Sequence, residues 1–174
     1  MGQFHHVVIA VGANLEVGAN LEHDKKSARV TCLEAVATIR SIPGVRVLSV
    51  SHWYKSAPVP PSEQPFYVNG VLSCIVKHDP SLLLSFLHEI ERNCGRVRSI
   101  PNAPRTLDLD LITYGSLCLK TPRLVLPHPR AHERAFVLVP LSDICPDWVH
   151  PQLGYDMLQM LEAVQGQEIK RLEI

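Results

Sequence analysis

Nowhere in the 174-residue chain does an apolar run approach the ~18 residues that a membrane-spanning helix needs. The start, "MGQFHHVVIAVGANL", has no basic segment ahead of a cleavable apolar stretch. It also lacks the Ser or Thr at the sixth position that myristoylation requires. A cytoplasmic protein with no membrane attachment is therefore expected. Cysteine is sparse: Cys32, Cys74, Cys94, Cys118 and Cys145 are odd in number, widely spaced and form no C-x-x-C pair. That argues against a disulfide framework or a zinc site and leaves small buried thiols. Aromatic residues are only 6% and no RNP-like run occurs, which leaves little to stack on nucleic acid. Seventeen basic and seventeen acidic residues cancel, so a general binder of polyanions is not expected. Neither G-x-x-x-x-G-K-[ST] nor G-x-G-x-x-G is present, so no P-loop or dinucleotide fold cradles phosphates.

What remains is ordinary globular composition, 46% hydrophobic and 20% charged, expected to form one domain over residues 1–174 and a monomer. The charge is unevenly placed. Between Arg92 and Arg134 eight basic residues face three acids. Such a stretch suits a compact anion such as a nucleotide phosphate; on charge alone a solvated basic face is an equal reading.

"HHVVIAVGAN" is a short apolar run and reads as a buried strand. A perfect tandem repeat follows, Val11–Glu16 and Val17–Glu22, too short for a solenoid and expected to lengthen a loop. A helix is predicted over Lys26–Ile39, with Val30, Leu33, Val36 and Ala37 on its apolar side, stopped by Ile42–Gly44. "VRVLSVSHWYKS" predicts a strand, "APVPPSEQP" a rigid proline loop, and "FYVNGVLSCIVKH" another strand in which Gly70 is expected to mark a bulge. In "DPSLLLSFLHEIERNCG" Asp79 is the N-cap, Pro80 the first helical residue and Gly95 the stop, with Leu82, Phe86, Leu87, Ile90 and Cys94 as the buried stripe. "RVRSIPNAP" is a basic loop, "TLDLDLITYG" a strand and "LCLKTPRLVLP" a strand and turn. "AHERAFVLVPLSDI" predicts a short helix interrupted near Pro140, and "YDMLQMLEAV" a last amphipathic helix. The order β-α-β-β-α-β, then extra helices, is the split βαβ pattern. The fold class is α+β, a ferredoxin-like sandwich with a mainly antiparallel sheet and helices packed on one face of it.

The chemistry concentrates in "PRTLDLDLI". Side chains alternate along a strand, so Asp108 and Asp110 share a face about 6.5–7 Å apart while Leu107, Leu109 and Leu111 face the core. For an isolated D-x-D an ordinary half-exposed strand is the better explanation. Here Arg96, Arg98 and Arg105 arrive from the flanking loop, and paired carboxylates suit Mg²⁺ shared with substrate phosphates. Together they suggest a metal-bound nucleotide handled by arginines.

"GRVRSIPNAPRTLDLDLITYG", with "QPFYVN" upstream and "LPHPRAHERAFVLVPL" downstream, resembles the 6-hydroxymethyl-7,8-dihydropterin pyrophosphokinases of folate biosynthesis. The similarity runs from the first strand to about Val164, with three motifs in order. The resemblance implies a ferredoxin-like fold and transfer of pyrophosphate from Mg-ATP to the pterin hydroxymethyl group, with AMP released. It further implies that Asp108 and Asp110 bind two Mg²⁺ ions, that Arg96 and Arg105 are catalytic, and that Glu91, Arg98, Arg123, His128 and Arg134 contact ATP. Ser56, Ala57, Val59, Tyr67, Asn69 and Phe136 would bind the pterin. A flat heteroaromatic suits stacking between Tyr67 and Phe136, and an amide at Asn69 can both donate and accept at its edge. Taken singly, Tyr67 as a plain strand residue and Phe136 as core are equally good readings. His5, His6 and His132 are assigned to surface or packing.

Two departures stand out. Pro101 and Asn102 occupy positions where the family often carries a basic residue and a tryptophan. The repeated "GANLEV" leaves open which copy takes the family's G-[SA]-N-L position. Two rival readings remain: a two-metal nucleotide phosphohydrolase, which leaves Tyr67, Asn69 and Phe136 unexplained, and a non-catalytic ferredoxin-like binding module.

Overall fold

The computed structural model describes residues 3–14, 27–95 and 106–173. Its centre is β1 (His5–Ala13), almost wholly buried, because both faces of this strand are covered and its side chains read as a continuous apolar run. β1 lies between β4 (Tyr67–Val76) and β5 (Asp108–Tyr114), antiparallel to both. β2 (Val45–Val50) and β3 (Tyr54–Ser56) pair with successive parts of β4, and β8 (Ile169–Arg171) adds to β3. The sequence predicts one strand where β2 and β3 stand. Between them Trp53 lays its indole over Gly70, on the side where a β-carbon at Gly70 would come within 2.7 Å of the ring. Gly70 therefore marks a close approach and not the expected bulge; the register of β1 and β4 runs straight through it.

A register shift does occur in β5, where Val8 pairs with Thr113 and Ile9 with Leu111, leaving Ile112 over. Before the shift Leu109 and Leu111 face one core; after it Tyr114 joins that core, while Ile112 points to the other. The bulge sits at the end of the stretch that carries Asp108 and Asp110.

Helices cover both faces of the sheet, not one. α1 (Ala28–Ser41) and α2 (Pro80–Asn93) pack on Val7, Ile9, Val11, Leu72 and Leu109. α3 (Ala135–Ile144) and α4 (Met157–Val164) pack on Val8, Val71 and Ile112, the alternate residues of the same strands. The caps are as expected for α2: Asp79 accepts from the Ser81 and Leu82 N–H groups, with Pro80 next. The buried stripes differ from expectation. α1 buries Thr31, Cys32, Ala35, Val36 and Ile39 and leaves Val30 and Leu33 exposed. α2 buries Leu83, Leu84, Leu87, Ile90 and Glu91, with Leu82 turned out. Pro140 does not interrupt α3, because Val137, Leu138 and Leu141 bind that helix to the sheet despite the missing N–H. The turn-and-strand segment forms a small hairpin of β6 (Leu119–Lys120) and β7 (Val125–Leu126).

The five cysteines are free, and burial pushes the Cys32 and Cys74 thiols up to about 12, so they pack as small apolar groups. Among the described residues no helix is long and apolar enough to cross a membrane.

Candidate active site

At one end of the α3-side face the apolar pattern stops. Two alternate rungs across the three central strands, which share this face, read Asn69–Gly12–Asp108 and Val71–Ala10–Asp110. The middle residues are a glycine and an alanine, so the floor is low and the carboxylates and the amide stand around it. A β-carbon at Gly12 would meet the Asn69 Oδ1 at 2.9 Å. Above this floor opens a cavity of ≈ 810 Å³ counted out to solvent. Nine of the fifteen proposed site residues line it: Ser56, Ala57, Val59, Tyr67, Asn69, Asp108, Asp110, Arg134 and Phe136.

Asn69 is buried, and its Nδ2 donates to the Ser56 Oγ at 2.8 Å. Leaving such an amide unpartnered costs about 1–3 kcal/mol, which is why Ser56 stands across from it. Tyr67 donates from its hydroxyl to the Gln64 Oε1 at 3.2 Å, and Asn14 donates to the same oxygen and to the Pro65 carbonyl. Gln64 and Asn14 were not singled out in the sequence; the only signal was an amide inside the proline loop and one in the repeat. Gly12 and Asn14 belong to the first copy of the repeat, which therefore reaches the site; the second copy lies outside the described residues.

On the carboxylate side, Arg134 Nη1 and His128 Nε2 each lie 3.9 Å from the Asp110 Oδ2. The Arg134 guanidinium also rests 5.4 Å from the centre of the Phe136 ring, linking the two halves of the cavity. His128 is placed by its own backbone: its N–H donates to the carbonyl of the bulged Ile112 at 2.8 Å. The Arg130 N–H donates to His128 Nδ1, so a neutral ring must carry its proton on Nε2, the nitrogen facing Asp110. Burial, then the nearby Arg134 charge, push the His128 pKa down to about 4 against the pull of Asp108. At neutral pH this imidazole is an uncharged donor.

Glu91 is 1% exposed and lies outside the cavity lining. Its Oε1 accepts the Leu109 N–H at 2.8 Å, on the outer edge of β5, which among the described residues pairs with no further strand there. It thereby fixes the residue between the two aspartates. Arg123 is exposed in the turn of the β6–β7 hairpin and does not line the cavity. Arg96, Arg98 and Arg105, with Pro101 and Asn102, lie outside the described residues.

The donor chemistry suits a hard cation. Asp108 and Asp110 offer carboxylate oxygens on one face of a strand, at the open cavity. Among the described residues no cluster of three or more His, Cys, Asp or Glu could hold a metal alone. The pair would thus hold Mg²⁺ with substrate phosphate oxygens and water completing the shell, the usual habit of that ion.

The comparisons agree with this architecture. The 2-amino-4-hydroxy-6-hydroxymethyldihydropteridine pyrophosphokinase of Synechocystis is 40% identical over 162 residues, spanning 93% of this chain and 77% of the relative. The enzyme of that name from Pseudomonas aeruginosa is 38% identical over 156 residues, covering 90% and 93%. The wild-type HPPK-DHPS of Plasmodium falciparum superposes with a TM-score of 0.67 at 11% identity, a likeness that speaks for the fold alone. It covers 93% of this chain, which spans 44% of that longer one. Residues 8–146 match the profile of 7,8-dihydro-6-hydroxymethylpterin-pyrophosphokinase, and the chain belongs to that family.

Proposed function

We propose that the chain transfers pyrophosphate from Mg-ATP to the hydroxymethyl group of 6-hydroxymethyl-7,8-dihydropterin and releases AMP, as a step of folate biosynthesis. The observation that carries this reading is the single cavity with an aromatic–amide half (Tyr67, Asn69, Phe136) and a carboxylate–arginine half (Asp108, Asp110, Arg134).

The pterin ring would lie between Tyr67 and Phe136, with its polar edge toward Asn69 and Ser56, and with Ala57 and Val59 along the cavity wall. That pose aims the hydroxymethyl oxygen at the phosphates. The oxygen attacks the β-phosphorus in line; the new O–P bond forms as the bond from Pβ to the bridging oxygen of the α-phosphate breaks. AMP carries away that oxygen and the bond pair, and the hydroxyl proton passes to solvent. Positioning and charge neutralisation supply most of the acceleration in such transfers, so no side chain is required as a general base. Two Mg²⁺ ions held by Asp108 and Asp110 would supply neutralisation of the phosphate charge. Arg134 and the uncharged Nε2–H of His128 would donate to phosphate oxygens. Arg96 and Arg105 are the proposed catalytic arginines, with Arg98 and Arg123 completing the ATP contacts. Glu91, whose Oε1 accepts the Leu109 N–H, serves ATP in this scheme by holding β5 in place.

The reading includes a cytoplasmic monomer whose whole length, 1–174, is one pyrophosphokinase unit. The deciding experiment is AMP formation from Mg-ATP with and without 6-hydroxymethyl-7,8-dihydropterin. AMP that appears only with the pterin supports the transfer. Phosphate or pyrophosphate released without pterin would instead make the site a nucleotide hydrolase.

A further inference from the structure

α3 begins awkwardly. Its N-cap is Arg134, whose guanidinium has no acceptor to offer a helix N–H and lies near Asp110 instead. The first N–H groups of a helix have no partner within the helix, so the start of α3 needs one from elsewhere. It comes from Gln167, 32 residues further on. The Gln167 Oε1 accepts the Ala135 N–H at 2.9 Å, and its Nε2 donates to the Glu133 carbonyl at 2.7 Å. The two bonds fix which end of the amide is which, since an N–H must meet the oxygen and a carbonyl the nitrogen. They bracket Arg134, and the next side chain along the helix, Phe136, is a wall of the cavity.

The residue after Gln167 ties down the opposite wall. The Ala57 N–H donates to the Glu168 carbonyl at 3.3 Å, and Ile169 pairs with Ser56 where β8 joins β3. Gln167 is itself set by its N–H, which donates to the Val164 carbonyl at the end of α4. It does not line the substrate cavity but faces a second one behind it, bounded also by Ser56, Pro58 and Phe136. It also lies beyond residues 8–146, the part that matches the family.

We propose that Gln167 is a positioning residue for the reaction: a cap supplied by the C-terminal segment that holds Arg134 against Asp110 and Phe136 against the pterin. The far end of α3 is anchored independently, where Asp143 accepts from the Tyr54 hydroxyl and the His52 N–H at 3.0 Å, so losing Gln167 loosens the site end alone. The inference rests on the pyrophosphokinase reading for its kinetic test, and a second measurement keeps the two apart.

The test is a double-mutant cycle of Gln167→Leu and Arg134→Ala in the full chain, assayed well below the melting temperature of each variant. Gln167→Leu should lower kcat/KM about tenfold. In the Arg134→Ala background the same change should cost far less. An equal loss in both backgrounds, or a fall in melting temperature with unchanged kinetics, would overturn the proposal. Amide hydrogen exchange provides the independent arm: in Gln167→Leu the Ala135 amide should exchange faster while the His52 amide does not. Unaltered exchange at Ala135 would overturn the capping contact. If the wild type forms no AMP, the function assignment fails, and the exchange result still decides whether Gln167 holds this end of α3.

Discussion

Gly12 and Gly70 lie on the paired strands β1 and β4, one rung apart, and neither has room for a β-carbon. At Gly70 the space is taken by the Trp53 indole, 2.7 Å from where the carbon would sit, on the face packed by α1 and α2. At Gly12 it is taken by the Asn69 amide, 2.9 Å away, on the face that opens to the cavity. Neither glycine has a positive φ. Both are there for space, one so that the core can close and the other so that a polar side chain can stand at the cavity. The same division runs through the central strands: one face apolar from end to end, the other apolar under α3 and polar beyond it.

The largest effect should come at the polar end. Asp110→Ala should lower turnover at least about a hundredfold, the scale seen when one transition-state partner is removed. Pterin affinity by calorimetry and the melting temperature should stay near wild type, since Asp110 is 34% exposed at the open cavity. Near-normal turnover would remove the metal assignment and, with it, the reason the two faces differ.

The two glycines sharpen the contrast with one substitution made twice. Gly70→Ala overpacks a closed core, and overpacking typically costs 1–3 kcal/mol. At about 2 kcal/mol that is a fall of roughly 4–8 °C in melting temperature for a chain of this size, with pterin affinity unchanged. Gly12→Ala forces only the Asn69 amide to swing. Pterin affinity should fall about tenfold, worth about 1.4 kcal/mol, and the melting temperature should fall less than in Gly70→Ala. Matching thermal losses with intact pterin binding would show that Gly12, too, belongs to the core.

What the sequence disclosed follows the same line. The element order and the Asp79–Pro80 cap depend on local pattern and chemistry, so they could be read directly. The helix stripes could not. Leu82, Leu83, Leu84, Phe86 and Leu87 fit two adjacent faces equally well, and only contact with the sheet selects Leu83, Leu84 and Leu87. α1 buries Cys32 and Ala35 in place of Val30 and Leu33 because a helix lying close on a sheet favours small residues. The lining of the candidate site was legible where motifs carry it, at Asp108, Asp110, Asn69 and Arg134. It was illegible where tertiary structure recruits an ordinary residue, as with Gln64 beneath Tyr67 and Gln167 behind Phe136. β8 is three residues with two charges, a pattern with no strand signal of its own; its partner β3 makes it a strand.

The distinction extends to a pair of histidines on the α3 side, one buried and one half-buried, and gives the smallest effect. His128 and His150 both have their pKa lowered, first by burial, but His128 faces the carboxylates whereas His150 packs against His132 and Trp148. His150 Nδ1 accepts the Leu153 and Gln152 N–H groups, an internal turn far from any substrate group. With the folded value below the unfolded one near 6.5, the unfolded chain binds more protons as pH falls through that range. Stability is therefore unaffected at pH 7 and above, and is lost as the pH drops below about 6.5. His150→Asn keeps an acceptor for the turn and removes the titration. The melting temperature of this variant should fall less between pH 7 and pH 5 than that of the wild type, while its kinetics at pH 7 stay unchanged. An identical thermal profile would assign the acid sensitivity elsewhere, and altered kinetics at pH 7 would mean that this histidine, like His128, serves the site.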